Sequence, residues 1–181
     1  MATDKLTEKT LSSEMIYDGK IVHLSVDTVQ LPNGQTTRRE VVRHSGAVAI
    51  VPLDAEGNVI LVRQYRHAAN RILLEIPAGT LNKDEDPDVC AVRELQEEIG
   101  YKPGKLEKIG AIFVAPGYTS EFIHLYLATD LSESRLELDE DEFIEVSRVP
   151  FQEAITLIHV GEIIDGKSVS ALLLAKEQLH L

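Results

Sequence analysis

The stretch GTLNKDEDPDVCAVRELQEEIGY, running from Gly79 to Tyr101, decides how this chain is read. Its second half carries helix punctuation: Asp86 can cap, Pro87 suits a first turn and Gly100 suits an end. On a helix from about Pro87 to Ile99, turning about 100° per residue, Glu94, Glu97 and Glu98 share one arc, and Val89, Val92, Leu95 and Ile99 share the opposite one. Carboxylates at i, i+3 and i+4 repel one another unless water or cations screen them, and hard divalent ions prefer oxygen ligands. By spacing alone the arc fits a metal-binding face or a solvated acidic one.

Working outward toward the amino terminus, Ile72 to Ile76 is a short apolar run, and Pro77, Gly79 and the polar residues through Asp86 form a loop into the helix. Residues 46–52 and 59–65 are β-rich and flank Asp54-Ala-Glu-Gly57, which predicts a hairpin. Another hairpin is predicted over Lys20 to Val42 around Pro32-Asn33-Gly34, with alternation through Val22, Leu24, Val26 and Thr28. Met1 to Glu14 is polar and reads as a frayed start. Toward the carboxyl terminus, Ile109 to Val114, Phe122 to Ala128 and Phe143 to Val149 read as strands. Phe151 to Val160 and Ser168 to Leu179 carry apolar residues at helical spacing, separated by Gly161 and Asp165-Gly166. These elements predict an α/β chain: a mixed sheet flanked by helices as an α/β/α sandwich, with an antiparallel β-hairpin lobe at the amino terminus.

At 181 residues the chain suits one compact domain with a short extension, and its 44% hydrophobic content is ordinary for a globular protein. A net charge of -12 argues against nucleic acid or an anionic membrane as partner, since clustered Lys and Arg hold such surfaces. A small anionic substrate then needs a local cationic bridge. Cys90 is the single cysteine, so no intrachain disulfide forms, and neither a signal-peptide core nor a membrane-spanning apolar run is present; the expectation is a cytoplasmic protein. The histidines His44, His67, His124 and His159 lack zinc-ligand spacing, and Cys90 lacks a paired His, so it reads as a small packing residue.

In the decisive stretch, Gly79, Glu85, Arg93, Glu94, Leu95, Glu97, Glu98 and Gly100 fall in register with the Nudix box Gx5Ex7REUxEExGU, where U is aliphatic; Tyr101 alone departs. The chain resembles the Nudix hydrolases, and the resemblance implies the Nudix fold and a Mg²⁺ cofactor, with Mn²⁺ as a substitute. It also implies that Glu94 and Glu98 hold most of the metal and that the backbone carbonyl of Ala78 is a further ligand. Glu97 would assist catalysis or bind another ion, while Arg93 and Glu85 brace loop and helix by charge pairing, with Gly79 and Gly100 shaping the box. Such ions would bridge diphosphate oxygens and lower the pKa of an attacking water.

Further motifs resemble the ADP-ribose pyrophosphatase and nucleoside diphosphate sugar hydrolase branch: Arg39-Glu-Val-Val42, Val62-Arg-Gln-Tyr-Arg66, Leu74-Glu-Ile-Pro-Ala-Gly79 and Ala115-Pro-Gly-Tyr-Thr-Ser-Glu121. Pro116 stands 16 residues after Gly100, a position associated in this family with ADP-ribose and related nucleotide sugars. The likeness implies that Arg66 contacts phosphate or the nucleotide side, that Arg39 adds positive charge, and that Glu121 accepts hydrogen bonds from ribose hydroxyls. The acidic run Leu138 to Glu145 resembles the loop that supplies the general base, with Glu140 as base and Glu142 as an additional metal ligand. Residues 1–44 would form a β-rich extension used in homodimerisation and 45–181 the hydrolase domain. The activity implied is hydrolysis of ADP-ribose, or a related nucleotide sugar, to a nucleoside monophosphate and a sugar phosphate. The alternatives are another substrate such as GDP-mannose, or a non-catalytic ADP-ribose-binding domain.

Overall fold

In a computed structural model of the chain, which describes residues 5–138 and 142–181, the backbone divides into two compact units. The first comprises Met1–Ser45 with Phe113–Phe122, and the second Gly46–Ile112 with Ile123–Leu181. No helix among the described residues is long and apolar enough to cross a membrane.

The first unit is built on an antiparallel sheet of β1 (Lys9–Asp18), β2 (His23–Gln30) and β3 (Thr36–Arg43) in that order. The hairpin expected around Asn33-Gly34 is β2–β3, its turn closed by Gly34 at φ 85. The polar start instead forms β1, whose residues are exposed along its whole length; a strand with neither face buried shows no alternation to read. Buried Asp27 pins the three strands together, accepting bonds from Ser13, Ser25 and Arg43.

The second unit contains two sheets. One has the order β7-β4-β9-β8, from β4 (Ala47–Pro52), β7 (Ala78–Thr80), β8 (Tyr101–Phe113) and β9 (Phe122–Glu133). It is mixed, since β4 runs parallel to β9 and antiparallel to β7. The other has the order β10-β5-β6, from β5 (Asn58–Arg66), β6 (Arg71–Glu75) and β10 (Ile144–Pro150). The hairpin expected between residues 46–52 and 59–65 is therefore corrected. Asp54 does close the turn, accepting from Glu56 and Asn58, but after the single Leu53–Val59 bridge the two strands enter different sheets. Both are near-continuous apolar runs that need cover on two faces, which a lone hairpin cannot supply.

That cover comes from α1 (Pro87–Glu94) on one side and α2 (Phe151–His159) with α3 (Gly166–Gln178) on the other. Strand alternation sorts the side chains between two cores. Val48, Ile50, Ile60, Val62 and Tyr126 pack with Cys90, Ala91, Leu95 and Ile99. Ala49, Val51, Leu61, Leu125 and Leu127 pack with Phe151, Ala154, Ala171 and Leu172. The layering is that of an α/β/α sandwich.

Candidate active site

The carboxylate helix starts as its sequence directs, with the Asp86 side chain accepting from the Asp88 amide at 2.9 Å. Past Glu94 it departs from expectation, because Leu95–Ile99 forms a π-helical turn that Gly100 ends at φ 75. Such turns recur at functional sites, where they shift side chains off the regular α-helical arc. Val89, assigned by periodicity to the buried arc, is exposed, and its place in the core is taken by Cys90 and Ala91. The acidic arc is not a solvated face: Glu94 is 8% exposed and Glu98 4%.

The buried carboxylates meet strand β7. A Cβ added at Gly79 would lie 1.9 Å from the Glu94 carboxyl carbon, so only glycine lets that carboxylate rest against the strand. The Ala78 amide donates to Glu98 at 3.3 Å, bringing the backbone of Ala78 beside the helix. Arg93 organises the other side. Its Nε and Nη2 form a fork on Glu85 at 2.9 and 3.1 Å, and its Nη1 lies 2.7 Å from both Glu94 and Glu97. Glu85 in turn accepts from the Asn82 amide, which folds the loop onto the helix. Arg93 holds the Glu85 carboxyl down at about 2.

Burial pushes Glu94 the other way, to about 7, even with Arg93 in contact; desolvation and the neighbouring Glu97 and Glu142 outweigh that one cation. Glu98 is raised well above the usual carboxylate range by burial, then by the charges of Glu94 and Glu142, and the Ala78 amide and Arg66 only partly offset this. Glu142 thus acts electrostatically on both carboxylates; Glu140 lies outside the described residues. Cys90 is buried and its thiol is pushed up to about 12 by desolvation, which suits packing and not attack.

Arg66 does not stand alone. It forms a fork on buried Glu75, with Nε at 2.9 Å and Nη2 at 2.7 Å, and Lys167 reaches the same carboxylate at 2.6 Å. Sequence reading singled out neither Glu75 nor Lys167; the available signal was a charged residue beside the apolar run that ends at Ile76.

The other substrate candidates belong to the first unit. Arg39, on β3, forms a fork on Glu8 at 3.1 and 2.6 Å and lines a cleft of about 430 Å³ with Val26, Arg38, Glu40, Gly117 and Tyr118. Exposed Pro116 and half-buried Glu121 lie on a loop whose Tyr118 carbonyl and Ser120 amide pair with Val42. Among the described residues, no three of His, Cys, Asp and Glu already converge as a metal cage. Glu94 and Glu97 instead turn to Arg93.

The box residues thus meet in space, with Glu94 and Glu98 buried against Gly79 and Ala78 and with Arg93 tied to Glu85, Glu94 and Glu97. A NUDIX domain model matches residues 43–172, and a nucleoside diphosphate sugar hydrolase N-terminal domain model matches residues 8–42. The chain belongs to the Nudix family of hydrolases, which generally use a divalent metal ion. It is 46% identical to an ADP-ribose pyrophosphatase of Bacillus subtilis (strain 168), over 92% of this chain and 91% of that one. It is also 46% identical to a methanol dehydrogenase activator of Bacillus methanolicus, over 91% and 90%. With a GDP-mannose pyrophosphatase of Salmonella typhimurium it shares 38% identity, over 76% and 78%. The fold superposes on the crystal structure of an ADP compounds hydrolase with a TM-score of 0.86 at 26% identity, covering 98% of this chain and 97% of the other.

Proposed function

We propose that this chain hydrolyses the diphosphate linkage of ADP-ribose, or of a related nucleoside diphosphate sugar, to a nucleoside monophosphate and a sugar phosphate. The observation that carries the reading is the pair Glu94 and Glu98, buried against Ala78 and Gly79 with too little positive charge to stay ionised comfortably. Oxygen donors in that condition fit a hard divalent cation. Glu94, Glu98 and the Ala78 carbonyl would hold it, with Glu97 and Glu142 contributing, and Mg²⁺ is the ion proposed, with Mn²⁺ as substitute. When bound, the ion supplies positive charge against the diphosphate oxygens and makes water more acidic.

The protein's own residues supply the rest. Arg93 keeps the glutamates oriented through Glu85. Arg66 and Arg39 meet phosphate charge, and Pro116 and Glu121 shape the sugar subsite. Glu140, in the acidic run, takes a proton from the attacking water as a new P–O bond forms and the bridging P–O bond breaks toward the leaving phosphate. The amino-terminal residues 1–44 form the homodimer contact, supported by exposed apolar side chains on β1 at Leu11, Met15, Ile16 and Tyr17. A cytoplasmic setting, in which Cys90 stays reduced, belongs to the same reading.

Turnover of ADP-ribose, ADP-glucose and GDP-mannose with Mg²⁺, with products identified, tests it. The expected result is preference for ADP-ribose, with AMP and ribose 5-phosphate released; a strong preference for GDP-mannose would move the substrate, and no turnover of any would leave a binding domain. Glu98→Gln with undiminished activity would remove the proposed metal role.

A further inference from the structure

Glu75 is 1% exposed and the hydrolytic steps above give it no task, yet two cations are directed at it. Lys167, in the first turn of α3, also bonds Asp165 at 2.9 Å, and Asp165 caps that helix by accepting from the Ser168 amide at 3.0 Å and its hydroxyl at 2.6 Å. The Ser168 oxygen accepts from the Ile76 amide at 3.0 Å, so the network closes on itself beside Glu75. Through this ring the start of α3 is stapled to the strand segment that leads to Ala78.

The fork on Glu75 occupies the Nε and Nη2 side of Arg66 and fixes the plane of its guanidinium. The Nη1 edge lies outside that fork, and the side chain is 39% exposed while its partner is sealed. An Arg–Glu pair by itself is neutral and attracts a phosphate weakly. Lys167 changes that balance by sharing the Glu75 charge, and the amides at the start of α3 in turn share the charge of Asp165. Arg66 also acts on Glu98, so this cation stands beside the carboxylate centre.

We propose that Lys167 is a positioning residue for diphosphate binding: by holding Glu75 from the α3 side, it leaves Arg66 fixed in direction and with charge available to a phosphate oxygen. The proposal rests on the reading of Arg66 as a phosphate contact. Lys167 itself need not touch substrate.

A double-mutant cycle separates the two ideas. ADP-ribose is titrated calorimetrically into full-length protein in metal-free buffer with EDTA, so that binding is measured without turnover, and KM and kcat are measured with saturating Mg²⁺. Lys167→Met is expected to weaken binding on the order of fivefold and to raise KM by a similar factor with little change in kcat, whereas Lys167→Arg retains both. In an Arg66→Ala background, Lys167→Met should add nothing. Equal losses in both backgrounds, or full binding by Lys167→Met while Arg66→Ala weakens it, would overturn the positioning role alone. Unimpaired binding by Arg66→Ala overturns the phosphate-contact reading and this proposal together. If Lys167→Met does not fold, Lys167→Gln, which keeps a donor for Glu75 but no charge, gives the same comparison.

Discussion

Two buried acidic centres lie in the same unit of this protein and are treated in opposite ways. Glu75 is sealed from solvent, and although burial pushes its pKa up, Arg66 and Lys167 outweigh that and hold it below the usual range. Glu94 and Glu98 are almost as deeply buried, but burial prevails, and both are raised. Burial is the common factor, so it cannot distinguish the two roles. The difference is how far the chain's own cations offset burial: Glu75 meets both Arg66 and Lys167, whereas Glu94 shares Arg93 with Glu85 and Glu97. Glu75 is neutralised within the fold, whereas the carboxylates of the Nudix helix keep a deficit of positive charge, which on the proposed reading is where a divalent ion would bind.

The sharpest way to break the contrast is to neutralise one acid from each centre. Glu98→Gln is expected to lower kcat on the order of a thousandfold, the scale of losing a principal electrostatic contact in a transition state. In metal-free buffer the same change should leave the melting temperature equal or higher, since it removes an acid whose ionised form is disfavoured. Glu75→Gln should do the reverse to stability: two cations lose their shared carboxylate, a defect worth about 3–5 kcal/mol, and the melting temperature falls by roughly 10 °C. Thermal melts of both variants with EDTA decide it. Destabilisation of equal size in both would mean that the two centres are alike.

The next effect is steric. Gly79→Ala places a methyl group on the Glu94 carboxylate, and displacing a reacting group by about 1 Å costs on the order of a hundredfold in rate. Gly34→Ala, on the first unit's hairpin, meets no atom within 4 Å and serves as the control, carrying only the strain of its φ of 85. Comparable kcat in the two variants would show that Glu94 tolerates displacement.

A smaller effect follows from pH in metal-free protein. Glu94 titrates near 7 in the folded chain against an ordinary 4.5, so its contribution to stability is fully present below 4.5 and is lost as pH rises toward and through 7. Glu75, lowered on folding, contributes stability above the ordinary carboxylate pKa that is lost as pH falls. Melts from pH 4 to pH 8 should lose their alkaline decline when saturating Mg²⁺ is added, because a bound cation favours the ionised acids. A decline unchanged by Mg²⁺ would assign it to other groups.

How much of this was legible beforehand depends on the range of each interaction. The carboxylate helix is local: Asp86, Pro87 and Gly100 punctuate it, so the helix could be read from spacing, while the brace of Glu85 on Arg93, 8 residues away, came from the likeness to the Nudix box. The π-helical turn could not, since its residue types suit an ordinary α-helix equally well. The partners of β4 and β5 were misread because continuous apolar runs carry strand character without pairing information. β1 was missed for the opposite reason, having no buried face. The Glu75–Lys167 contact spans 92 residues and has no motif to announce it. Glu140 is a separate matter, since it lies outside the described residues and remains a proposal from likeness alone.

The smallest expected effect concerns the one position where the chain departs from the Nudix box. Tyr101 follows the helix-ending glycine, and its hydroxyl accepts from Arg148 Nη2 at 2.6 Å while the guanidinium lies 5.7 Å from the ring centroid. Arg148 sits on β10, the strand that follows the acidic run, and it is half exposed. This cation is therefore spent on a ring and on distant Asp54, not on either buried acid. Tyr101→Leu restores the aliphatic box residue and removes a contact worth about 0.5–1 kcal/mol at an exposed site. The melting temperature should fall by no more than roughly 4 °C, with kcat and KM within about twofold of the parent. A large loss of kcat would show that the Tyr101–Arg148 contact steers β10 and the carboxylates that precede it, and would add a third member to a contrast that now needs only two.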